Sequence, residues 1–307
     1  MACRGRTSLG TSPPMHRTPS FRRVSIGLLL SLIVAGTLLG CGTLDEKQRA
    51  WIFQPSKNTW RGSAWAAEGM DSVWIDFKSA ETGQPVRLHG LWLAQPRADA
   101  PVLLYLHGAR WNVRSSATRM RRLHSLGFAV LGVDYRGFGE STDTLPSEAM
   151  AYEDARAAWD WLAQQHPQRA RFVFGHSLGA AIAVNLAGQV SDESGVILEG
   201  SFPSIADVVA ASRWGWLPVS PLITQRFEAG ERVAAIGSPL LVVHGSADRL
   251  IPPELGRALY DKAREPKRFE LVEGGSHHNT NAVGLDQYRA AVRAVFGLAS
   301  DERLSLD

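Results

Sequence analysis

The sequence predicts an α/β protein with one mostly parallel sheet of about eight strands, helices on both faces and a small lid insertion. Short apolar runs alternate with longer stretches of helical periodicity between about residues 70 and 298, an order typical of α/β folds. The runs lack the alternation of a half-exposed strand, which indicates burial on both faces of a parallel sheet. With 45% hydrophobic and 21% charged residues, the composition suits a globular core and excludes disordered and collagen-like chains.

Local patterns in the sequence predict the individual strands and helices. An antiparallel hairpin is expected from residues 73–77 and 86–94, because a short run of turn residues at 81–84 separates them. Six further apolar runs predict the remaining strands, at residues 102–106, 129–133, 171–174, 196–198, 240–243 and 268–272. Helices are expected at residues 147–165, after Pro146, and at residues 178–190, which are nearly all small and apolar.

One segment interrupts the alternation of strands and helices. Residues 201–238 lie between two predicted strands and contain Trp214, Trp216, Pro218 and Pro221. In open α/β sheets ligands bind at the carboxyl ends of the strands, and an insertion at this point folds over that edge. Residues 201–238 are therefore a candidate lid, and its two tryptophans either pack within the lid or line a ligand pocket.

The N-terminal region has the pattern of an export signal. Residues 24–39 carry no charge and follow Arg22 and Arg23, a stretch that is short for a bilayer span of about 20 residues and suits the core of a signal peptide. The end of this stretch, Leu38-Leu39-Gly40-Cys41, resembles the lipobox of bacterial lipoproteins. That resemblance implies that residues 1–40 are a signal peptide and that Cys41 is lipidated. The alternative is an uncleaved N-terminal anchor.

Either interpretation places the folded domain outside the cytosol and tethers it to the membrane of the bacterial cell envelope. The sequence after Cys41 shows no clear period as far as residue 70. We therefore interpret residues 41–70 as a tether, residues 71–298 as the folded domain and residues 299–307 as a C-terminal tail.

Charge and cysteine content exclude several classes of function. The pI near 9.0 arises from the leader, which holds five arginines and no acidic residue. Without those five arginines, the chain has 28 basic and 30 acidic residues. The sequence therefore gives no electrostatic indication of nucleic-acid binding. Cys3 lies in the leader, so Cys41 has no partner for an intramolecular disulfide. No histidine pair has zinc-ligand spacing with a third ligand, and we expect neither a metal nor a cofactor.

The strongest chemical motif follows the predicted strand at 171–174. It reads Gly175-His176-Ser177-Leu178-Gly179 and is followed at once by the apolar helix. G-x-S-x-G between a strand and a helix is typical of a nucleophile elbow, in which the glycines allow neighbouring backbone to approach a strained serine. Ser177 is therefore the candidate nucleophile, and His176 is expected to support the turn.

A nucleophilic serine needs a base and an acid that orients it, and at an elbow they follow in the chain order serine, acid, histidine. Asp248 lies in the loop after the strand at 240–243, and His277 and His278 lie in the loop after the next strand. Adjacent parallel strands bring these loops to the same sheet edge as Ser177. Asp134 and Glu199, at the ends of two other strands, are rival acids.

Five motifs together resemble the α/β-hydrolase superfamily, and in particular its serine hydrolases of the esterase, lipase and thioesterase type. They are His107-Gly108, residues 134–141 (DYRGFGES), residues 175–179 (GHSLG), residues 244–248 (HGSAD) and residues 274–277 (GGSH). The resemblance implies the α/β-hydrolase fold, Asp248 as acid and His277 as base. The doubled histidine departs from the usual motif, and counting from the glycine pair favours His277 over His278. The backbone amides of Leu178 and Ala109 are the expected oxyanion donors.

The sequence thus predicts an exported, membrane-anchored serine hydrolase that cleaves a carboxylic ester or thioester through an acyl-enzyme. Its expected partners are a small acyl substrate and, through the lipid anchor, a membrane, without an obligate protein partner. Two alternatives remain. One is a serine peptidase or amidase on the same scaffold, and the other is a binding protein that kept the fold and lost the chemistry.

Overall fold

Eight strands form one sheet in the order β1-β2-β4-β3-β5-β6-β7-β8. The structure is a computed structural model and describes residues 42–60, 64–213 and 215–298. The strands are β1 (Asp71–Lys78), β2 (Pro85–Leu93), β3 (Val102–Leu106), β4 (Ala129–Val133), β5 (Arg171–His176), β6 (Gly195–Glu199), β7 (Leu240–Gly245) and β8 (Lys267–Val272). All eight predicted strands are present, and the predicted fold class is confirmed.

The sheet is antiparallel at one side and parallel across the remainder. β1 pairs with β2 and β2 with β4 in antiparallel register, while the pairs from β4 through β3, β5, β6 and β7 to β8 are parallel. Every residue of β3, β4, β6 and β7 is buried, which explains their uniformly apolar sequences. β5 lies in this parallel part, between β3 and β6, so the loop that follows β5 opens near the middle of the carboxyl edge.

Helices cover both faces of the sheet. They are α1 (residues 42–53), α2 (Ala117–His124), α3 (Glu148–Gln165), α4 (Leu178–Ala187), α5 (Ile205–Ala211), α6 (Ala229–Arg232), α7 (Pro253–Lys262), α8 (Thr280–Val283) and α9 (Leu285–Phe296). Side chains from α3, α4 and α7 pack on one face, and those from α2 and α9 on the other. Alternate residues of β3 enter the two cores: Leu104 joins the first and Tyr105 the second.

The segment expected to be a tether is instead partly built into the domain. The chain divides into the units Met1–Leu44 and Asp45–Asp307, so the larger unit begins well before residue 70. Phe53 is fully buried, with its ring centroid 5.7 Å from that of Phe227 and 6.5 Å from that of Phe138. The predicted tether at residues 41–70 is therefore corrected from Asp45 onward. The apolar contacts come from Ile52 and Phe53 at the end of a short helix, too few to give a recognisable period in the sequence.

The predicted lid at residues 201–238 contains α5, α6 and two short 3-10 helices. Its two ends are anchored in the core, since Phe202 and Phe227 are buried. Its middle is exposed, with 75% of Trp216 and 57% of Leu222 accessible to solvent. Exposure of Trp216 shows that this side chain does not line an enclosed pocket, and Trp214 lies outside the described residues.

The start of the larger unit is fastened to this lid. The Gln48 side-chain amide donates to the carbonyl of Leu222 (2.7 Å) and accepts from the amide of Thr224 (2.9 Å). Gln225 Nε2 donates to Asp45 Oδ1 (2.8 Å). The lid and α1 therefore form one packed surface from Asp45 onward.

Across residues 42–60, 64–213 and 215–298, no helix combines the length and the apolar character needed to cross a bilayer. The predicted signal peptide, Cys41 and the tail at residues 299–307 lie outside these residues.

Candidate active site

Ser177 lies at the tight turn between β5 and α4. Its φ and ψ are 56° and −121°, a conformation that costs a non-glycine residue about 1–3 kcal/mol and persists only where the surroundings impose it. The Ser177 N–H donates to the Glu199 carbonyl (2.9 Å), and the Ser177 carbonyl accepts from the Ala180 N–H (2.8 Å). The hydroxyl caps no helix amide, so it remains available for another partner.

The glycines on either side of Ser177 are required by close backbone packing. A Cβ at Gly175 would lie 2.3 Å from the Gly179 carbonyl oxygen, and a Cβ at Gly179 would lie 2.1 Å from the Leu106 carbonyl oxygen. Any side chain at either position would force the first turn of α4 away from the ends of β3 and β5. The elbow motif therefore brings Ser177 close to the loop that follows β3.

His277 joins this serine to a carboxylate. Its Nε2 lies 3.0 Å from Ser177 Oγ, and its Nδ1 lies 2.7 Å from Asp248 Oδ2. Because a carboxylate only accepts hydrogen bonds, Nδ1 carries the proton and Nε2 is free to accept one from the serine hydroxyl. The imidazole is buried, with 6% of the residue exposed, so water competes little for these two contacts.

Asp248 is held as a carboxylate by its surroundings. Its Oδ1 accepts from the backbone N–H groups of Leu250 and Ile251, both at 2.9 Å. Burial alone would raise the pKa of Asp248, but the contacts with His244 and His277 hold that pKa well below its usual range. His244 Nε2 lies 3.5 Å from Asp248 Oδ2 and 2.9 Å from the Ile251 carbonyl. The negative charge next to His277 is therefore maintained at neutral pH.

The structure distinguishes the two adjacent histidines. His278 is exposed, its ring stands nearly perpendicular to that of His277 with centroids 5.3 Å apart, and its carbonyl accepts from Arg119 Nη2 (3.2 Å). Of these two histidines, His277 alone has hydrogen bonds to both Ser177 and Asp248.

The two rival acids have other partners. Asp134 Oδ1 accepts from the Val113 N–H (2.6 Å), and its carboxylate lies 3.4 Å from His107 Nε2 and 3.6 Å from His89 Nδ1. Glu199 forms an ion pair with Arg119 (3.0 Å) and accepts a hydrogen bond from the Tyr288 hydroxyl. Neither carboxylate forms a hydrogen bond or an ion pair with the His277 ring.

The expected oxyanion donors lie on the two sides of the serine. Leu178 is the first residue of α4, where N–H groups have no intrahelical acceptor. A Cβ at Gly108 would lie 3.1 Å from Ser177 Cβ, so the loop that carries Ala109 passes directly beside the nucleophile. The next residue, Arg110, has a positive φ of 69° and donates its N–H to the Phe53 carbonyl (2.9 Å). That bond fixes the loop immediately after Ala109.

Several residues around this site were not identified by sequence reasoning. Phe53 contributes a backbone carbonyl, and Arg119 and Tyr288 reach the site from α2 and α9. None of the three belongs to a motif or follows a strand. Among the described residues, no cluster of three or more histidine, cysteine, aspartate or glutamate side chains is arranged to hold a metal ion.

Comparisons with known proteins show the family of the chain and its fold. The family model for serine aminopeptidase, S33, matches residues 97–227 and 222–281. An uncharacterized protein of Mycobacterium tuberculosis is 33% identical over 263 residues, covering 84% of this chain and 89% of the relative. The lysophosphatidylserine lipase ABHD12 of Danio rerio is 32% identical over 208 residues; the match covers 58% of this chain and only 54% of the lipase. An esterase from Pyrococcus furiosus aligns with a TM-score of 0.61 at 18% identity, covering 79% of this chain and 98% of the esterase, a likeness of fold.

Proposed function

Because the chain belongs to the serine aminopeptidase S33 family of α/β-hydrolases, we propose that it is a serine hydrolase that cleaves a carboxylic ester or thioester through an acyl-enzyme. The observation that carries this proposal is the unbroken series of contacts from Ser177 Oγ through His277 to Asp248, at 3.0 and 2.7 Å. This series begins at a serine held in a strained elbow, where backbone strain commonly marks a functional residue.

In the proposed reaction Ser177 Oγ attacks the acyl carbonyl carbon while His277 Nε2 accepts the hydroxyl proton. The carbonyl oxygen becomes an oxyanion, which the amides of Leu178 and Ala109 stabilise. The tetrahedral intermediate expels the alcohol or thiol, which takes the proton from His277. Water then attacks the acyl-enzyme by the same route and releases the acid. Asp248 keeps the imidazole in the required tautomer and balances its positive charge.

Cleavage of esters is favoured over aminopeptidase activity by the charges near Ser177. An aminopeptidase binds the ammonium group of its substrate, for which a carboxylate is the strongest acceptor. Glu199 is occupied by Arg119 and Tyr288, and Asp248 by His277 and two backbone amides. The similarity to the lysophosphatidylserine lipase supports the same choice and points to lipid esters as substrates. Aminopeptidase activity, which the family description names, is the second candidate.

A substrate panel distinguishes these two functions. Purified protein is assayed with p-nitrophenyl esters of increasing acyl length, an acyl thioester, a lysophospholipid and aminoacyl p-nitroanilides, with Ser177→Ala as the matched control. We expect turnover of the esters that is lost in the control, and little turnover of the anilides. Faster cleavage of the anilides than of every ester would overturn the ester proposal.

We also propose that the protein is exported and anchored at a membrane of the cell envelope by lipid on Cys41. The support is the uncharged stretch at residues 24–39 after Arg22-Arg23 and the lipobox-like residues that end at Cys41. Metabolic labelling with palmitate and mass spectrometry of the mature N-terminus test the proposal. Cys41→Ser should abolish labelling, and an unmodified N-terminus at Met1 or Met15 on the membrane-bound protein would leave the uncleaved anchor as the explanation.

The packing of α1 sets how much of the N-terminus can be removed. A chain that begins at Asp45 keeps the bonds of Asp45 and Gln48 to the lid and the buried Phe53 ring. It should hydrolyse soluble esters with a kcat within about twofold of the full chain, because no triad contact is lost. A chain that begins at Lys57 loses a fully buried phenylalanine, a change that costs about 3–5 kcal/mol, and it should unfold at a lower temperature.

A further inference from the structure

Four polar side chains lie behind the loop that carries His277, and none belongs to the triad. They are Arg119 on α2, His176 at the end of β5, Glu199 at the end of β6 and Tyr288 on α9, named here the support cluster. Glu199 and Tyr288 are each 1% exposed, His176 is 7% exposed, and the Arg119 side chain is 11% exposed. Burying so many polar groups is unfavourable unless each has a partner, so their arrangement needs an explanation.

Glu199 is the centre of the support cluster. Its Oε1 forms an ion pair with Arg119 Nη2 at 3.0 Å, and its Oε2 accepts the hydrogen bond of the Tyr288 hydroxyl. Burial, together with the neighbouring Glu199 charge, raises the pKa of Tyr288 well above its usual value. The phenol therefore stays protonated and donates. The carboxylate charge is thus compensated within the protein interior.

The support cluster donates hydrogen bonds to two consecutive carbonyls of the base-bearing loop. His176 Nε2 lies 2.9 Å from the His277 carbonyl oxygen, and Arg119 Nη2 lies 3.2 Å from the His278 carbonyl oxygen. Burial and the nearby Arg119 charge lower the pKa of His176 well below its usual value, so its ring is neutral. Because a carbonyl only accepts, the single proton of that ring resides on Nε2.

The same residues also hold the serine. The Glu199 carbonyl accepts the Ser177 N–H at 2.9 Å. The residue after Glu199, Gly200, has a φ of +60°, and a Cβ there would lie 3.3 Å from the His277 ring. The imidazole therefore packs against this backbone, while its main chain is held by His176 and Arg119. The Ser177 end of the Ser177–His277 hydrogen bond is therefore held by the Glu199 backbone. The His277 end is held by two side chains, Arg119 and His176, that lie next to the Glu199 carboxylate.

We propose that Glu199, Arg119 and His176 are positioning residues that hold His277 where its two nitrogens reach Ser177 and Asp248 together. This inference rests on the proposed hydrolase function and adds to it three residues whose side chains act through the backbone at residues 277–278. Displacement of a catalytic group by about 1 Å lowers rates by about 100-fold. Loss of the support cluster should therefore slow chemistry and leave substrate binding unchanged.

Steady-state kinetics of Glu199→Gln and Arg119→Gln on a soluble p-nitrophenyl ester test the proposal. Each variant should lower kcat by about 10- to 100-fold with KM within about twofold. The matched control is Asp154→Asn, which disrupts another buried ion pair, Arg136 Nε to Asp154 Oδ1 at 2.8 Å, in which both side chains are no more than 1% exposed. We expect the control to lower the melting temperature while its kcat changes by no more than about twofold.

A double-mutant comparison separates positioning from general stability. In the His277→Ala background there is no imidazole left to position, so Glu199→Gln should lower the residual rate no further. If Glu199→Gln does not fold, two milder variants test the same proposal. Tyr288→Phe removes one hydrogen bond to Glu199, and Arg119→Lys keeps the positive charge but loses the planar guanidinium group. Each should lower kcat by about three- to tenfold with KM unchanged.

The outcomes are distinguishable from failure of the proposed function. Wild-type protein without esterase activity or Ser177 labelling would overturn the hydrolase function itself. If the wild type is active, folded support-cluster variants with wild-type kcat would overturn the positioning role. The positioning role would also be overturned if Glu199→Gln lowered kcat by the same factor in the wild-type and in the His277→Ala backgrounds.

Discussion

Among the residues that the structure describes, a serine, a histidine and a buried aspartate come together at Ser177 and again at Ser72, and the backbone suits a nucleophile at Ser177 alone. In the first cluster, His277 lies 3.0 Å from Ser177 Oγ and 2.7 Å from Asp248. In the second, His89 Nε2 lies 3.1 Å from Ser72 Oγ, while His89 Nδ1 lies 3.6 Å from Asp134. Residue types and serine–histidine distances are nearly the same in the two clusters.

The backbone around each serine separates them. Ser177 has a φ of 56° and stands at the start of α4, where the unpaired N–H groups of the first helical turn can stabilise an oxyanion. Ser72 lies within the extended strand β1, paired opposite Leu91. The 3.6 Å separation of His89 and Asp134 also exceeds a hydrogen bond, and His107 shares the same carboxylate. The comparison shows that side-chain proximity alone does not identify a triad.

Replacement of the two serines should give the largest contrast. Ser177→Ala removes the atom that forms the acyl-enzyme, and we expect kcat to fall by about 10⁴-fold or more with the fold intact. Ser72→Ala should change kcat by less than about twofold, because this serine lies on an extended strand without an elbow. Ester hydrolysis by both purified variants measures the contrast, and comparable losses in the two would refute the distinction.

Replacement of the two adjacent histidines tests which of them is the base that acts on Ser177. His277→Ala should lower kcat by about 10⁴-fold, since no other imidazole lies between Ser177 and Asp248. His278→Ala removes an exposed ring and keeps the backbone carbonyl that Arg119 contacts, so most activity should remain. Circular dichroism of both variants controls for folding. The opposite ranking of the two variants would move the base by one residue.

The two aspartates should differ in what they affect. Asp248→Asn should lower kcat by about 10³- to 10⁴-fold, because the amide no longer selects the productive tautomer of His277. Asp134→Asn should leave kcat nearly unchanged and lower the free energy of unfolding by about 1–3 kcal/mol, through a weaker hydrogen bond from the Val113 N–H and weaker contacts with the two histidines. Parallel kinetics and urea denaturation measure both effects. A kcat loss confined to Asp134→Asn would reverse the assignment of the acid.

The smallest expected effect concerns stability at acid pH. Burial raises the pKa of Asp134, but the nearby His107 and His89 and the hydrogen bond from the Val113 N–H outweigh it and lower that pKa below the ordinary 3.8. A carboxyl with a lowered pKa contributes stability that is complete above its unfolded value and is lost as the pH falls. The difference in free energy of unfolding between the wild type and Asp134→Asn should therefore disappear as the pH falls from about 5 to about 2. A stability difference that stays constant over this range would contradict the lowered pKa.

Much of the site was predictable because it follows strand ends. Ser177, Asp248 and His277 each come within a few residues of β5, β7 or β8, and buried parallel strands are recognisable as uniformly apolar runs. Backbone atoms lie so close to Gly175 and Gly179 that neither position has room for a side chain, and the sequence motif already contains both glycines. Local sequence therefore carried both the position and the chemistry of these residues.

Other parts of the site depend on packing between distant segments. The Phe53 carbonyl that accepts from Arg110 is a backbone atom, so no side-chain pattern marks it. Arg119 and Tyr288 meet Glu199 from helices separated by more than 150 residues. Asp134 looked like a rival acid because it follows a strand, and only the three-dimensional structure shows that its partners are His89 and His107.

Covalent labelling tests most directly which serine is the nucleophile. The folded protein is treated with a fluorophosphonate, digested, and examined by peptide mass spectrometry to locate the modified residue. We predict one adduct, on Ser177, which forms equally in Ser72→Ala and is lost in Ser177→Ala. An adduct on Ser72 or another serine, or no adduct on folded protein, would contradict the assignment; the last result would favour a binding protein that kept the fold without the chemistry.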